Sequence, residues 1–167
     1  MPGCPLGYLG AGGLEKGGQF ANCTGGAARY VDQLVFGSSH IHQRPTTRAI
    51  YNTSVAFDPE GILGSLTCVL CAYLGAEAGK VLLYFHANRQ RVLRWMSWSL
   101  VTGLIGGALC TFSINGGPIP INKNLWSVSY VLVTSSMAFS VLTVFYVFID
   151  ALVWWSGAPL RYAGEFL

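Results

Sequence analysis

The sequence predicts an all-α membrane protein: three transmembrane helices, part of a larger polytopic bundle, with an irregular Gly-rich head on one side. Three observations predict it. Hydrophobic residues fill 52% of the 167 positions and charged residues only 10%, against roughly 25% charged in an ordinary soluble domain; the mean hydropathy is +0.47. The apolar residues are also unevenly spread. Residues 1–57 are rich in Gly, Asn, Thr and Pro with no long apolar run, whereas 58–156 are almost wholly apolar. Finally, the apolar part divides into runs close to the roughly 20 residues that a helix needs to cross a hydrocarbon core about 30 Å thick.

The first run is Gly61–Phe85, interrupted only by Glu77 and Lys80. The second is Trp95–Phe112, and the third, Leu125–Ile149, holds no charged residue. Lipid offers no partner to an open backbone N–H or C=O, so each run is expected to be helix. The expected organisation is a head (1–57), a first span (58–85), a basic loop (86–94), a second span (95–113), a loop (114–124), a third span (125–149) and a cytosolic or interfacial tail (150–167). The loop "HANRQRVLR" carries Arg89, Arg91 and Arg94 and no acid, while 114–124 carries only Lys123. Basic loops stay on the cytosolic side. Residues 1–57 and 114–124 are therefore expected on the far side, in a lumen or outside the cell.

Two features of the head agree with that orientation. Asn22-Cys23-Thr24 and Asn52-Thr53-Ser54 are N-x-S/T sequons, the acceptor pattern for glycosylation. Asn22 is the better candidate, since Asn52 lies only six residues before the expected helix start at Asp58. Cys4 and Cys23 share the same segment, where an oxidising lumen would preserve a disulfide; on sequence alone a bond and two free thiols both stay open. Met1-Pro-Gly-Cys has neither the basic n-region nor the apolar h-region of a secretory signal. A polar head ahead of the first span, with no such signal, is the pattern expected of a piece of a longer membrane chain.

Asp58-Pro59-Glu60 fits a helix start, with Asp58 as N-cap, Pro at the first helical position and an acid in the first turn. Glu60 has less to do as a cap, and a carboxylate there could orient a polar substrate at the membrane surface. Glu77 and Lys80 share a helix face. A snorkelling pair near the headgroups is the simpler reading, and a polar lining to a cofactor path is the other. Cys68 and Cys71 form a C-x-x-C with no second pair to complete a zinc set, so they and Cys110 are expected to pack, and no metal is expected. His40 and His42 flank Ile41 in a loop, a weak signal for metal or substrate, and His86 adds positive character to the basic loop. "GYLGAGGLEKGG" has Glu15 where a dinucleotide fingerprint needs Gly, and no GK[ST], so turns are expected. Gly75–Gly79 and Gly103–Gly107 have the spacing that lets membrane helices approach closely.

A net charge of +3 without aromatics interleaved among the basic residues gives no nucleic-acid footprint. The basic loop is explained by topology alone; the sharper reading is an electrostatic mouth for a polyphosphate or nucleotide. A transporter-like membrane fragment is disfavoured, because paired broken helices and repeat symmetry are missing.

Four stretches, "PGCPLGYLGAGG", "NCTGGAARYVD", "DPEGILGSL" and "PIPINKNLWSVSYVL", resemble consecutive motifs of the heparan-α-glucosaminide N-acetyltransferase family of lysosomal membrane enzymes. The resemblance runs from Pro2 to about Ala163; the closing "GEFL" departs from the family, whose chain continues into further spans. It implies a polytopic transferase of the lysosomal membrane. Acetyl-CoA is the cytosolic co-substrate, and the acceptor is the terminal glucosamine amine of lumenal heparan sulfate. It also implies membrane lipid and the remaining transmembrane helices as partners, with a second copy as a further candidate. The family's proposed catalytic histidine lies upstream of this sequence, and neither His40 nor His42 matches it. The chain is thus expected to supply binding surface and scaffold and to be inactive alone; the alternative is a non-catalytic short product that associates with the full-length enzyme. With the family in view, Glu60, Asn122, Lys123, Asn124 and Trp126 become candidates for a lumenal sugar site. Lys80, Arg89, Arg91 and Arg94 become candidates for the phosphates of CoA. The chemistry needs a base for the amine and donors for the carbonyl oxyanion.

Overall fold

A chain that must satisfy its backbone without water folds its apolar runs as helices, and the computed structural model has three long ones. It describes residues 4–5, 8–45, 48–52, 55–57, 61–114 and 117–158. Among the described residues there is no strand. The head contains two 3₁₀ turns, Glu15–Gly18 and Ala21–Cys23, then helix α1 (Gly26–Phe36) and a short helix α2 (Arg48–Tyr51). Three long helices follow: α3 (Ile62–Tyr84), α4 (Asn88–Leu109) and α5 (Val128–Tyr146), the last running into a π turn at Val147–Ala151. All three are long and apolar enough to cross a membrane.

Helix bounds differ from the expected spans for local reasons. Asp58, Pro59 and Glu60 lie outside the described residues; the N-cap position of α3 is Gly61. Helix α4 begins at Asn88, so Arg89, Arg91 and Arg94 stand on its first turns rather than in a loop. Hydropathy marks where lipid begins, but Arg, Gln and Leu are good helix formers and carry the helix beyond that point. Helix α5 begins at Val128 because Ser127 Oγ accepts the Tyr130 N–H, the bond that defines an N-cap serine.

The tightest packing is between α4 and α5, through small and hydroxyl residues. A Cβ on Gly103 would stand 2.7 Å from Ser136 Oγ, and one on Gly106 would stand 2.9 Å from Val133. Ser99 Oγ donates to Ser136 O at 2.9 Å, Ser136 Oγ donates back to Ser99 O at 2.8 Å, and Ser140 Oγ lies 2.7 Å from Ser99 Oγ. Small residues bring helix axes close, and hydroxyls then bond across the gap. Trp98 stacks on Phe139 beside this seam. The equal spacing at Gly75 and Gly79 does not pack: a Cβ at either would meet nothing within 4 Å. Helix α3 joins the pair through Leu74 and Val81, buried with Trp95, Leu132, Phe139 and Tyr146.

The head closes over the other end of the bundle. Cys4 and Cys23 are joined in a disulfide with their Cα atoms 5.2 Å apart. Tyr8 stacks on Phe20, and its hydroxyl accepts the Gly12 N–H. Gly12, at φ +72, lies so near the Cys23 backbone that a side chain there would overlap it. A second apolar cluster joins Ala11 of the head, Phe57 before α3 and Leu125 before α5, with Ala28 of α1 packed against it. Three segments far apart in sequence thus meet over the helix ends.

Gly106, packed against α5, and Gly75, which meets nothing, give a direct contrast. In the 167-residue chain in lipid nanodiscs, Gly106→Val is expected to cost about 1–3 kcal/mol by overpacking the α4–α5 seam. Gly75→Val is expected to leave the thermal midpoint nearly unchanged; equal losses would contradict the assignment of the seam.

Candidate functional site

At the basic end, the link between α3 and α4 is only Phe85–Ala87, so the last carbonyls of α3 face the first turn of α4. Arg91 meets them. Its Nε donates to Phe85 O, its Nη2 to Leu82 O at 2.9 Å and its Nη1 to the Tyr146 hydroxyl at 2.9 Å. The Tyr146 hydroxyl donates in turn to Asn88 Oδ1 at 2.7 Å. One turn deeper, Trp95 Nε1 donates to Ala78 O at 3.1 Å, and its ring meets Tyr146 edge-on at 5.1 Å. All three long helices are tied here by a guanidinium, a phenol and an indole.

Beside this knot, between α3 and α4, lies a groove of about 510 Å³ lined by Glu77, Lys80, Val81, Tyr84, Phe85, Arg94, Ser97 and Trp98. That volume falls in the roughly 300–1,000 Å³ range of small-molecule sites. Arg94 lies over the Phe85 ring at 3.8 Å, a cation–π contact that holds the guanidinium plane while leaving its N–H edges able to donate. Lys80 is paired with Glu77. Of the four basic residues considered for phosphate binding, the fold brings Lys80 and Arg94 into one groove. Arg89 is exposed on α4. Arg91 does not line the groove, because its nitrogens are engaged with α3 and Tyr146.

At the head end, the turn before α5 is built around Asn122, 6% exposed. Its Oδ1 accepts the N–H groups of Asn124 at 2.9 Å and Leu125 at 3.1 Å, an Asx turn. Its own N–H donates to Ser127 Oγ, the same oxygen that caps α5. Asn122 is thus committed in part to shaping the turn. Lys123 is exposed and Asn124 half-buried. Trp126 adopts φ +47, a left-handed conformation costly for a bulky residue. Its ring meets Tyr130 edge-on at 6.3 Å. Glu60, considered with these residues, lies outside the described residues.

Asp32 was not singled out by sequence reasoning, yet it is fully buried. Its Oδ1 accepts the Ile62 N–H at 2.9 Å, capping α3 from helix α1. A Cβ on Gly61 would overlap this carboxylate, so only glycine fits the position. The available signal was placement: Asp32 follows Ala28 on one face of α1, opposite the exposed Tyr30 and Leu34. Burial pushes the nearby Arg29 guanidinium below its ordinary pKa. Its Nη1 reaches Thr24 O at 3.5 Å.

Asn22 and Asn52 are both exposed, Asn52 at φ +48. His40 Nδ1 lies 2.9 Å from Phe36 O, and His42 Nε2 lies 2.7 Å from Arg44 O, so local carbonyls hold both rings. Among the described residues no three His, Cys, Asp or Glu side chains gather in one cluster.

The fold is that of an all-helical membrane protein, with a groove at one end of the bundle and a rigid polar turn at the other. No family model matches the chain. It is 49% identical over 165 residues to heparan-alpha-glucosaminide N-acetyltransferase of Homo sapiens and 46% identical over 165 residues to that of Mus musculus. Each match covers 98% of this chain and 25% of the relative; the chain spans about a quarter of the length of these proteins. By sequence it is similar to one part of these N-acetyltransferases.

The Asx turn is open to test. Asn122→Ala removes the acceptor for two backbone N–H groups and is expected to cost about 1–3 kcal/mol of stability. Asn122→Asp keeps an acceptor oxygen and is expected to retain most of it. Equal melting shifts for the two variants would contradict the assignment.

Proposed function

We propose that the chain is part of a membrane-bound acetyltransferase that moves acetyl from cytosolic acetyl-CoA to the terminal glucosamine amine of lumenal heparan sulfate. It supplies binding surface and scaffold and is inactive by itself. The reading is supported by the similarity to the N-acetyltransferases over nearly the whole chain. The observation that carries it is the groove in which Lys80 and Arg94 converge. An ammonium and a fork of guanidinium N–H groups suit phosphate oxygens. The Trp98 and Tyr84 rings beside them suit a flat, partly apolar ligand. Glu77 holds Lys80 in the groove until a phosphate competes for it.

In this reading the basic end faces the cytosol, because the loop and first turn there carry Arg89, Arg91 and Arg94 without an acid, the pattern of a cytosolic segment. The Asn122–Trp126 turn then faces the lumen. There Lys123 and the Asn124 amide provide donors for hydroxyl and sulfate oxygens, and the Trp126 indole provides a face for a sugar ring. Glu60 completes this wall as the carboxylate for the protonated amine. The base that takes the amine proton and the remaining spans come from the rest of the longer protein.

The full-length protein carrying Lys80→Ala and Arg94→Ala tests the groove. Lost charge-assisted contacts of about 1.5 kcal/mol or more each correspond to at least a tenfold rise in KM for acetyl-CoA. The KM for the sugar acceptor and the protein's abundance are expected to hold. An unchanged KM for acetyl-CoA would remove the groove from the donor site.

A further inference from the structure

We propose that His40, His42, Arg44 and Arg48 form a second binding surface for the acceptor, one that holds sulfated sugars further along the chain whose terminal amine is acetylated. The inference rests on the function proposed above and deepens it. There the terminal sugar meets the Asn122–Trp126 turn and Glu60; here the rest of the same polymer meets a separate part of the head.

The charge pattern comes first. From Gln33 to Phe57 the sequence carries Arg44 and Arg48, with His40 and His42, and no acid. The acid just before this stretch, Asp32, is fully buried and engaged at the start of α3. Basic clusters of this kind are a sequence pattern of heparin and nucleic-acid contacts, and the sulfated polymer is the one that the proposed reaction brings to this face.

The fold makes the segment a shaped surface. Ile41, 4% exposed, and Pro45 are buried and anchor it, while His40, His42, Gln43, Arg44 and Arg48 are exposed. Gln43 Nε2 donates to Ser38 O at 3.1 Å and to Ile41 O at 2.7 Å, closing the turn. The Arg48 N–H donates to Pro45 O at 3.0 Å and sets the start of α2. His40 Nδ1 and His42 Nε2 each meet a carbonyl; a carbonyl only accepts, so each ring carries its proton there. The opposite nitrogen of each becomes a donor when the imidazole is protonated, the change this type of side chain undergoes in mildly acidic solution. Among the described residues no carboxylate lies within salt-bridge distance of Arg44 or Arg48. Their guanidinium forks suit sulfate oxygens as they suit phosphate.

The segment also stands at the right end of the bundle. The stretch that carries it ends at Phe57, which is buried with Leu125, and Leu125 sits in the turn that presents Lys123, Asn124 and Trp126. A terminal sugar seated on that turn leaves the following sugars of its chain to reach across the head. Exposed contacts are each weak, so the gain comes from several sulfates of one chain acting together in the field of the segment.

The test uses the full-length protein in nanodiscs of zwitterionic lipid, wild type against Arg44→Ala with Arg48→Ala, in mildly acidic buffer. The binding probe is a heparin-derived oligosaccharide lacking a terminal glucosamine amine, and its desulfated counterpart is the control. Wild-type protein is expected to bind the sulfated probe and not the control, with an affinity that falls as salt rises. The double variant is expected to bind it about fivefold more weakly, the size of two exposed ionic contacts. Arg44→Lys with Arg48→Lys keeps the charge and is expected to recover most of the loss, which a structural fault would not allow. In turnover, the KM for a long sulfated acceptor is expected to rise by the same factor relative to the KM for a single glucosaminide. Equal affinity of wild type and double variant for the sulfated probe overturns the proposal. Loss of binding to anionic-lipid vesicles with the oligosaccharide affinity unchanged also overturns it and assigns the segment to a lipid surface. The expected binding in a protein that transfers no acetyl contradicts the proposed function and leaves this surface standing; turnover without a binding difference does the reverse.

Discussion

A membrane helix satisfies its own backbone everywhere except at its ends, where the first N–H and last C=O groups have no partner in the helix. In α3 both ends are met by side chains from elsewhere in the chain. Asp32 of α1 accepts the Ile62 N–H at one end. At the other, Arg91 of α4 donates to Leu82 O and Phe85 O, while Trp95 donates to Ala78 O a turn further in. The same Arg91 reaches Tyr146 at the end of α5. Closing the open groups of one helix therefore also fixes where the head and the other two helices stand.

That arrangement makes a groove possible. Helices α4 and α5 approach closely because Gly103 and Gly106 present no side chain and Ser99, Ser136 and Ser140 bond across the gap. Helix α3 is joined mainly at its ends and through Leu74 and Val81, and its Gly75 and Gly79 meet nothing. Near the Arg91 knot the α3 and α4 surfaces separate enough to leave a space of about 510 Å³. Lys80 and Arg94, on facing helices, then point at one volume. At the head end the Asx turn of Asn122 and the Ser127 cap fix the start of α5, which places Lys123, Asn124 and Trp126 as one rigid unit.

The three helices were legible in the sequence because the requirement for about 20 apolar residues is strict. Their ends were less so. Arg89, Arg91 and Arg94 read as a loop by charge, but nothing in their propensity stops a helix, and α4 includes them. Glycine spacing marked both 75–79 and 103–107, yet of these four only Gly103 lies against α5, joined there by Gly106, while Gly107 faces Phe112; what faces a glycine is set by tertiary packing and leaves no local trace. The buried role of Asp32 depends on Ile62, thirty positions away, and that of Arg91 on Tyr146, fifty-five away. Partners so distant cannot be paired from one sequence. The four basic residues considered for a phosphate looked equivalent by charge. Geometry separated them: Lys80 and Arg94 line the groove, Arg91 ties helices and Arg89 stands outside.

The proposed function requires the two ends of the bundle to lie on opposite faces of the membrane, the groove toward the proposed donor and the Asn122–Trp126 turn toward the proposed acceptor. The most direct measurement places single cysteines at Arg89→Cys and Lys123→Cys in the full-length protein. Each variant is exposed to a membrane-impermeant maleimide in sealed vesicles whose outer surface is the cytosolic face. The account predicts that position 89 labels at once and position 123 only after permeabilisation. Labelling of both from the same side, or in the reverse order, would contradict it.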